Sequence, residues 1–115
     1  MVADEDDVVI AAITAAELLV GVELADRLHK RPRRAFVDSL LAIIAVEPYD
    51  LQVARVHAEL LAHTRTTGRA RGAHDLIIAA TARAQTRSVV TADTHGFSDL
   101  PGVTIRRLPQ TSEGE

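Results

Sequence analysis

Two short apolar runs are the feature that most constrains the fold of this chain. Residues 8–13 are continuously apolar and rich in β-branched side chains. In residues 88–91 a shorter apolar pair, Val89 and Val90, lies between a serine and a threonine. Strands of this kind are buried on both faces, as in a parallel sheet that helices cover. Because helical patterns separate the two runs, the sequence predicts an α/β fold with a mostly parallel sheet.

The helical patterns begin at recognisable signals. Thr14 and Glu17 form a capping-box pattern, which predicts a first helix that ends near Leu28. Pro32 is favoured in the first turn of a helix and predicts the start of a second one. The remaining predicted elements are a short strand at 45–49, a helix capped by Asp50, a loop at 66–72, a helix at 73–85 and an edge strand at 103–105.

Composition restricts the class of protein further. A chain of 115 residues is one domain, which we place at residues 1–109 with residues 110–115 as a flexible tail. No apolar run is long enough to cross a membrane, and the acidic start at residues 1–7 is unlike a signal peptide. We therefore expect a cytoplasmic protein without a membrane partner. The lack of cysteine excludes disulfides and thiolate metal sites.

Three acidic side chains, far apart in the sequence, are expected at one edge of the sheet. Glu17 and Asp93 each follow the carboxyl end of a predicted strand. Asp75 lies in the first turn of the helix that precedes the strand at 88–91, and such a helix packs antiparallel to the strand that it feeds. Sites in open α/β sheets form at the carboxyl ends of the strands. We therefore predict that the three carboxylates meet.

Each acid also has an ordinary structural explanation. Glu17 fits a capping box, Asp75 suits a helix N-terminus and Asp93 suits a turn. Their convergence on one edge favours a shared site. Clustered carboxylates need a cation, and oxygen ligands select Mg²⁺ or Mn²⁺, which suit phosphodiester hydrolysis. Kinases, phosphatases and signalling receivers use similar acidic pockets, so the reaction stays open at this point.

Three blocks of sequence resemble the VapC branch of the PIN-domain family. Residues 13–22, around Glu17, are similar to its second acidic motif, and residues 72–82, around Asp75, are similar to its third. Residues 90–97, around Asp93, are similar to the fourth block, which often carries a second acid where this chain has Gly96. The blocks occur in the family's order and spacing, and the resemblance extends from about Ile10 to Leu108.

The resemblance implies a function and a set of partners. Glu17, Asp75 and Asp93 would bind Mg²⁺ or Mn²⁺, and Thr91 would orient a ligand or water. The implied activity is that of an endoribonuclease toxin that cleaves structured RNA. The implied assembly is a homodimer with a VapB-type antitoxin. Arg69 and Arg71 precede the helix that carries Asp75, so contact with an RNA phosphate is weighed there against plain solvation.

The chain departs from the family at its N-terminus. Members of the family open with a central strand ending in aspartate, and then a helix, before the block that matches residues 8–17. The resemblance therefore implies a PIN-like three-layer α/β/α sandwich, truncated at its N-terminus, with the central N-terminal strand, its helix and the first aspartate absent. The acidic residues 4–7 precede the first strand, about 20 Å from the site, so we expect them to form a solvated charge run rather than a substitute ligand.

Two hypotheses follow from this departure. The first is an active metal-dependent endoribonuclease, and the second is a catalytically inactive PIN remnant that binds antitoxin or dimerises. A phospho-accepting signalling domain would need a lysine downstream of a central aspartate, and Lys30, the only lysine, is poorly placed for that role.

Overall fold

A five-stranded sheet with four helices makes up the described part of the chain. A computed structural model describes residues 1–3, 8–92 and 94–108. The predicted tail at 110–115 and the acidic run at 4–7 lie outside these residues. The elements are β1 (Val2–Ala3), β2 (Val8–Ala11), α1 (Ala12–Glu23), α2 (Arg27–Ile43), β3 (Ala45–Glu47), α3 (Leu51–Thr67), α4 (Ala73–Ala84), β4 (Ser88–Thr91) and β5 (Thr104–Arg107).

The sheet has the order β3-β2-β1-β4-β5. β2 pairs in parallel with β3, and β4 pairs in parallel with β5. Parallel strands need long crossover connections. Helices α1 and α2 connect β2 to β3, whereas the described residues that lead from β4 to β5 form a loop without a helix. The predicted α/β class is confirmed, and β5 lies at the edge of the sheet, as its alternating pattern predicted.

A short strand, β1, occupies the centre of the sheet. From the sequence, the family's central strand is expected to be absent at this place. Val2 pairs with Val9 of β2 on one side and with Val89 of β4 on the other. Both pairings are antiparallel, in contrast to the two outer pairings. Buried backbone groups on the facing edges of β2 and β4 need hydrogen-bond partners. Two residues of β1 supply part of that pairing, so the expected gap between the neighbouring strands is bridged.

The main apolar core lies between the sheet and the helices α3 and α4. Val2, Val9 and Val89 share one register across three adjacent strands, and all three side chains are buried. Ile10 points to the opposite face of the sheet and is also buried. Both faces of β2 are therefore covered, as its continuous apolar run predicted. The buried helix residues of the main core are Val53, Leu60, Leu76, Ala79, Ala80 and Ala82.

The first two helices begin earlier than predicted. α1 starts at Ala12, directly after β2, and its N-terminus has no side-chain capping bond, so the predicted capping box at Thr14 is wrong. α1 also ends at Glu23 rather than near Leu28. α2 starts at Arg27 because the carboxylate of Asp26 accepts a 2.9 Å hydrogen bond from the backbone N–H of His29.

The third and fourth helices agree closely with the sequence. Asp50 caps α3 as predicted, accepting a 3.0 Å hydrogen bond from the backbone N–H of Val53. α3 then ends at Gly68, whose φ of +71° is a left-handed conformation that favours glycine. α4 occupies nearly the predicted range, and its buried residues confirm that it is an inner helix. Within the described ranges, no helix combines the length and apolar character that a membrane span requires.

Candidate functional site

Asp75 lies at the junction of α4 and the loop that follows β4. It is in the first turn of α4, whose N-terminal flanking residue, Gly72, has no side chain to cap the helix. A Cβ atom added at Gly96 would lie 2.6 Å from Oδ2 of Asp75, and one added at Gly72 would lie 3.3 Å from it. The carboxylate therefore lies between two glycines. The N-terminus of α4 and the carboxyl side of β4 meet here, as the topology argument predicted.

Glu17 lies in α1 and faces the start of α4. Its Oε1 is 3.2 Å from Nδ1 of His74, the residue before Asp75, and both side chains are about half exposed, at 50% for Glu17 and 54% for His74. Because α1 begins at Ala12, Glu17 is not in the first turn and does not cap the helix. The capping-box explanation of Glu17 thus fails, and its contact with His74 brings α1 to the N-terminal turn of α4, which also carries Asp75.

Thr91 and Asp93 belong to the carboxyl end of β4. Thr91 is the last residue of that strand, and its backbone carbonyl accepts a 3.0 Å hydrogen bond from the N–H of Leu108. Asp93 lies outside the described residues, so its predicted role stays a prediction. Within residues 1–3, 8–92 and 94–108, no three histidine, aspartate or glutamate side chains form a group that could hold a metal ion. A site built on Glu17 and Asp75 thus needs a further ligand.

Arg69 and Arg71 line a pocket of about 300 Å³, just before the helix that carries Asp75. Nη1 of Arg69 is 2.6 Å from Oδ2 of Asp99, and Nη2 of Arg71 donates a 2.8 Å hydrogen bond to the carbonyl of Ser98. Residues 69–75 therefore run alongside residues 96–99. The sequence predicted the two arginines as candidate RNA ligands but missed Asp99, since a single acid in a turn carries no periodic signal.

A second cavity, of about 390 Å³, is apolar and lies among α1, α3 and α4. At its rim the hydroxyl of Tyr49 is 2.8 Å from Nδ1 of His57. Burial lowers the pKa of His57, which favours its neutral form near neutral pH. This cavity has no arginine or lysine in its lining, so it is unsuited to a phosphate group.

The chemistry of the acidic edge fits a hard divalent cation. Carboxylate oxygens are the ligands that Mg²⁺ and Mn²⁺ prefer, and Glu17 and Asp75 carry such oxygens on two helices. An open pocket of about 340 Å³ lies at Asp75, and Gly72 lines it together with Ala73 and His74. The glycines at 72 and 96 leave space around the Asp75 carboxylate that larger side chains would fill.

Comparison with known sequences identifies relatives over most of the chain. Residues 1–103 match the sequence profile of the PIN domain. The chain is 36% identical over 100 residues to Toxin FitB of Neisseria gonorrhoeae, a match that covers 80% of this chain and 69% of that protein. It is 27% identical over 105 residues to Ribonuclease VapC of Rickettsia bellii, covering 90% of this chain and 78% of that protein.

Solved structures show the same fold. VapBC-5 of Mycobacterium tuberculosis, a member of the VapBC family of toxin–antitoxin systems, superposes with a TM-score of 0.79 at 32% identity. That match covers 90% of this chain and 83% of the other. The FitAcB structure from Neisseria gonorrhoeae matches with a TM-score of 0.77 at 32% identity, over 88% of this chain and 76% of that one.

Proposed function

The chain belongs to the PIN-domain family, and from that premise we propose that it is an endoribonuclease toxin that hydrolyses structured RNA with Mg²⁺ or Mn²⁺ in the cytoplasm. Relatives named VapC ribonuclease support the nuclease class. The observation that carries the proposal is the placement of Glu17 against His74, next to Asp75, where α4 meets the loop after β4.

The acidic side chains have the central role in this proposal. Glu17, Asp75 and Asp93 would hold the cation, which when bound activates water and stabilises the leaving oxygen. His74 restrains the Glu17 carboxylate through their 3.2 Å contact. Thr91, at the end of β4, would orient a ligand or water with its hydroxyl. We assign RNA phosphate contacts to Arg69 and Arg71, the arginines beside the acidic edge.

A VapB-type antitoxin is the proposed protein partner, with the toxin itself as a homodimer. Structural relatives are named as toxin–antitoxin complexes. On α2, Leu28, Phe36 and Ile43 are 79%, 65% and 82% exposed. Their spacing of eight and seven residues places them along one side of the helix. An apolar stripe of this kind is expected where another protein covers the surface.

One observation favours a second candidate, an inactive PIN remnant that binds antitoxin or dimerises. The described ranges hold no cluster of three potential metal ligands, so the site depends on Asp93 for a third carboxylate. If Asp93 does not complete the site, the chain would keep the family's binding surfaces without its chemistry.

An RNA-cleavage assay separates these candidates. We expect the wild-type chain to cleave structured RNA in Mg²⁺ and to stop when EDTA removes the metal. Asp75→Asn should reduce cleavage by roughly a hundredfold or more, since it removes a ligand charge at the site. Asp38→Asn makes the same change on an exposed position of α2 and should leave cleavage unchanged. Equal cleavage by wild type and Asp75→Asn would exclude this site, and no cleavage by wild type would favour the remnant.

A further inference from the structure

The pocket beside the acidic edge carries a second set of polar groups. We call it the arginine pocket and define it by His63, Thr67, Arg69, Arg71 and Asp99. Its volume of about 300 Å³ is larger than a phosphate group needs. Two arginines and a histidine face it against a single carboxylate, so its lining favours an anion.

Asp99 holds one of these arginines in the free protein. Its Oδ2 lies 2.6 Å from Nη1 of Arg69, and both side chains are more than half exposed. Asp99 adopts a φ of +64°, in the left-handed region that L residues rarely occupy. Its backbone carbonyl lies 3.1 Å from Nε2 of His63. Exposed ion pairs of this kind are weak, so a second anion can displace the carboxylate.

The guanidinium group of Arg71 is held by two backbone carbonyls, but one of its N–H donors lacks a hydrogen-bond partner in the described part of the chain. Its Nη1 donates to the carbonyl of Ala70 at 3.2 Å, and its Nη2 donates to the carbonyl of Ser98 at 2.8 Å. Its Nε is buried and has no hydrogen-bond partner among the described residues. A buried donor without an acceptor is costly. Because Arg71 also lines the pocket, a small shift of its side chain toward a bound anion would give Nε an acceptor.

The arginine pocket lies next to the acidic edge, which we define by Glu17 and Asp75. Residues 69–75 and residues 96–99 contribute to both places. Gly96 lies against Asp75, and three residues later Asp99 contacts Arg69. Three residues span at most roughly 10 Å. An RNA strand whose scissile phosphate lies at Asp75 would therefore bring a neighbouring phosphate close to Arg69 and Arg71.

We propose that the arginine pocket binds a backbone phosphate next to the scissile one, and that Asp99 occupies Arg69 until that phosphate displaces it. The inference rests on the proposed ribonuclease function. It adds a phosphate subsite, and it adds a carboxylate, that of Asp99, which pairs with Arg69 while the subsite is empty. Carboxylate and phosphate both match the fork of an arginine. The exchange therefore replaces one acceptor by another without moving Arg69.

Binding of a labelled single-stranded RNA in EDTA tests the subsite without the cleavage reaction. Arg69→Gln should weaken binding about tenfold and lower the salt dependence by roughly 0.7, the slope for one phosphate on a single strand. Asp99→Asn should tighten binding several-fold, and it should have no such effect when Arg69 is already Gln. The matched controls are Arg34→Gln and Glu23→Gln, which alter a similar exposed ion pair between α1 and α2.

The side-chain NMR signal of the Arg71 Nε–H group separates RNA from free phosphate. A short RNA should shift this signal at concentrations where inorganic phosphate leaves it unchanged. If inorganic phosphate shifts it equally well, the pocket is a general anion site and the RNA subsite is refuted. If neither probe shifts it, the pocket binds no phosphate and the proposal is also refuted.

The two proposals can fail separately. If wild type cleaves RNA while Arg69→Gln and Asp99→Asn bind it with wild-type affinity and salt dependence, the proposed subsite is refuted and the proposed nuclease activity is retained. If the binding differences appear while wild type does not cleave RNA in Mg²⁺, the proposed subsite is retained and the proposed nuclease activity is refuted.

Discussion

Gly96 is the residue where the candidate site leaves least room for change. The Cβ atom of any other residue would lie 2.6 Å from Oδ2 of Asp75, closer than real contacts allow. The glycine has no positive φ, so close approach alone explains why a small residue fits there. The atom that must move is the end of the Asp75 side chain, so a substitution displaces the carboxylate more than the fold.

We expect Gly96→Ala to keep the fold and to reduce RNA cleavage. Displacing a catalytic group by about 1 Å costs on the order of a hundredfold in rate, so a loss of about tenfold to a hundredfold is predicted in the cleavage assay. Gly72→Ala is the control, because its Cβ would lie 3.3 Å from the same oxygen and requires only a small adjustment. A Gly96→Ala protein as active as wild type would show that the Asp75 carboxylate tolerates movement.

At the scale of elements, α2 shows how a cap can override a proline signal. Pro32 predicted a helix start, but the hydrogen bond from His29 to Asp26 starts the helix five residues earlier. Pro32 is therefore inside α2, where it cannot donate a backbone hydrogen bond to the preceding turn. The helix tolerates this loss near its N-terminus, at some expense in stability.

Pro32→Ala should stabilise the protein by restoring that hydrogen bond. We expect the free energy of unfolding to rise by roughly 1 to 3 kcal/mol, less than or equal to the penalty of a proline in mid-helix. Urea unfolding followed by circular dichroism measures the change. Arg31→Ala, at the neighbouring exposed position, should change it by less than about 0.5 kcal/mol. An unchanged or lower stability for Pro32→Ala would indicate that α2 begins at Pro32 in solution.

For the whole molecule, the short strand β1 joins the two halves of the sheet. Val2 is fully buried between Val9 and Val89, and the N-terminal ammonium of Met1 donates a 3.2 Å hydrogen bond to the carbonyl of Val90. Burial lowers the pKa of this ammonium group. The candidate site needs Glu17 from the β2 half and Asp75, whose helix leads into β4. Its geometry therefore depends on this central pairing.

Val2→Ala should destabilise the protein far more than Val8→Ala, a matched change in the adjacent strand β2. Removing two buried methyl groups costs roughly 2 to 3 kcal/mol, including the cavity that is left. Val8→Ala removes the same groups from a side chain that is 45% exposed, and it should cost less than about 1 kcal/mol. The free energy of unfolding compares the two variants. Equal losses would mean that β1 is not packed at the centre of the sheet.

The local patterns of the sequence determined much of the fold and the identity of the candidate acids. The apolar run at 88–91 predicted β4, Asp50 predicted the start of α3, and Asp75 was expected in the first turn of α4. These predictions hold because neighbouring residues decide strand burial and helix capping. The family resemblance, also a property of the sequence, named the same acids and the PIN fold.

Only the tertiary structure decided the contacts between distant segments. Two residues of β1 carry too little pattern to predict a strand, and their place between β2 and β4 depends on the pairing that those strands need. The contact of Glu17 with His74 joins two helices, and the Arg69–Asp99 pair joins residues 30 apart. Such contacts follow from packing of the whole chain, because loop closure and the burial of apolar faces determine which loops lie side by side.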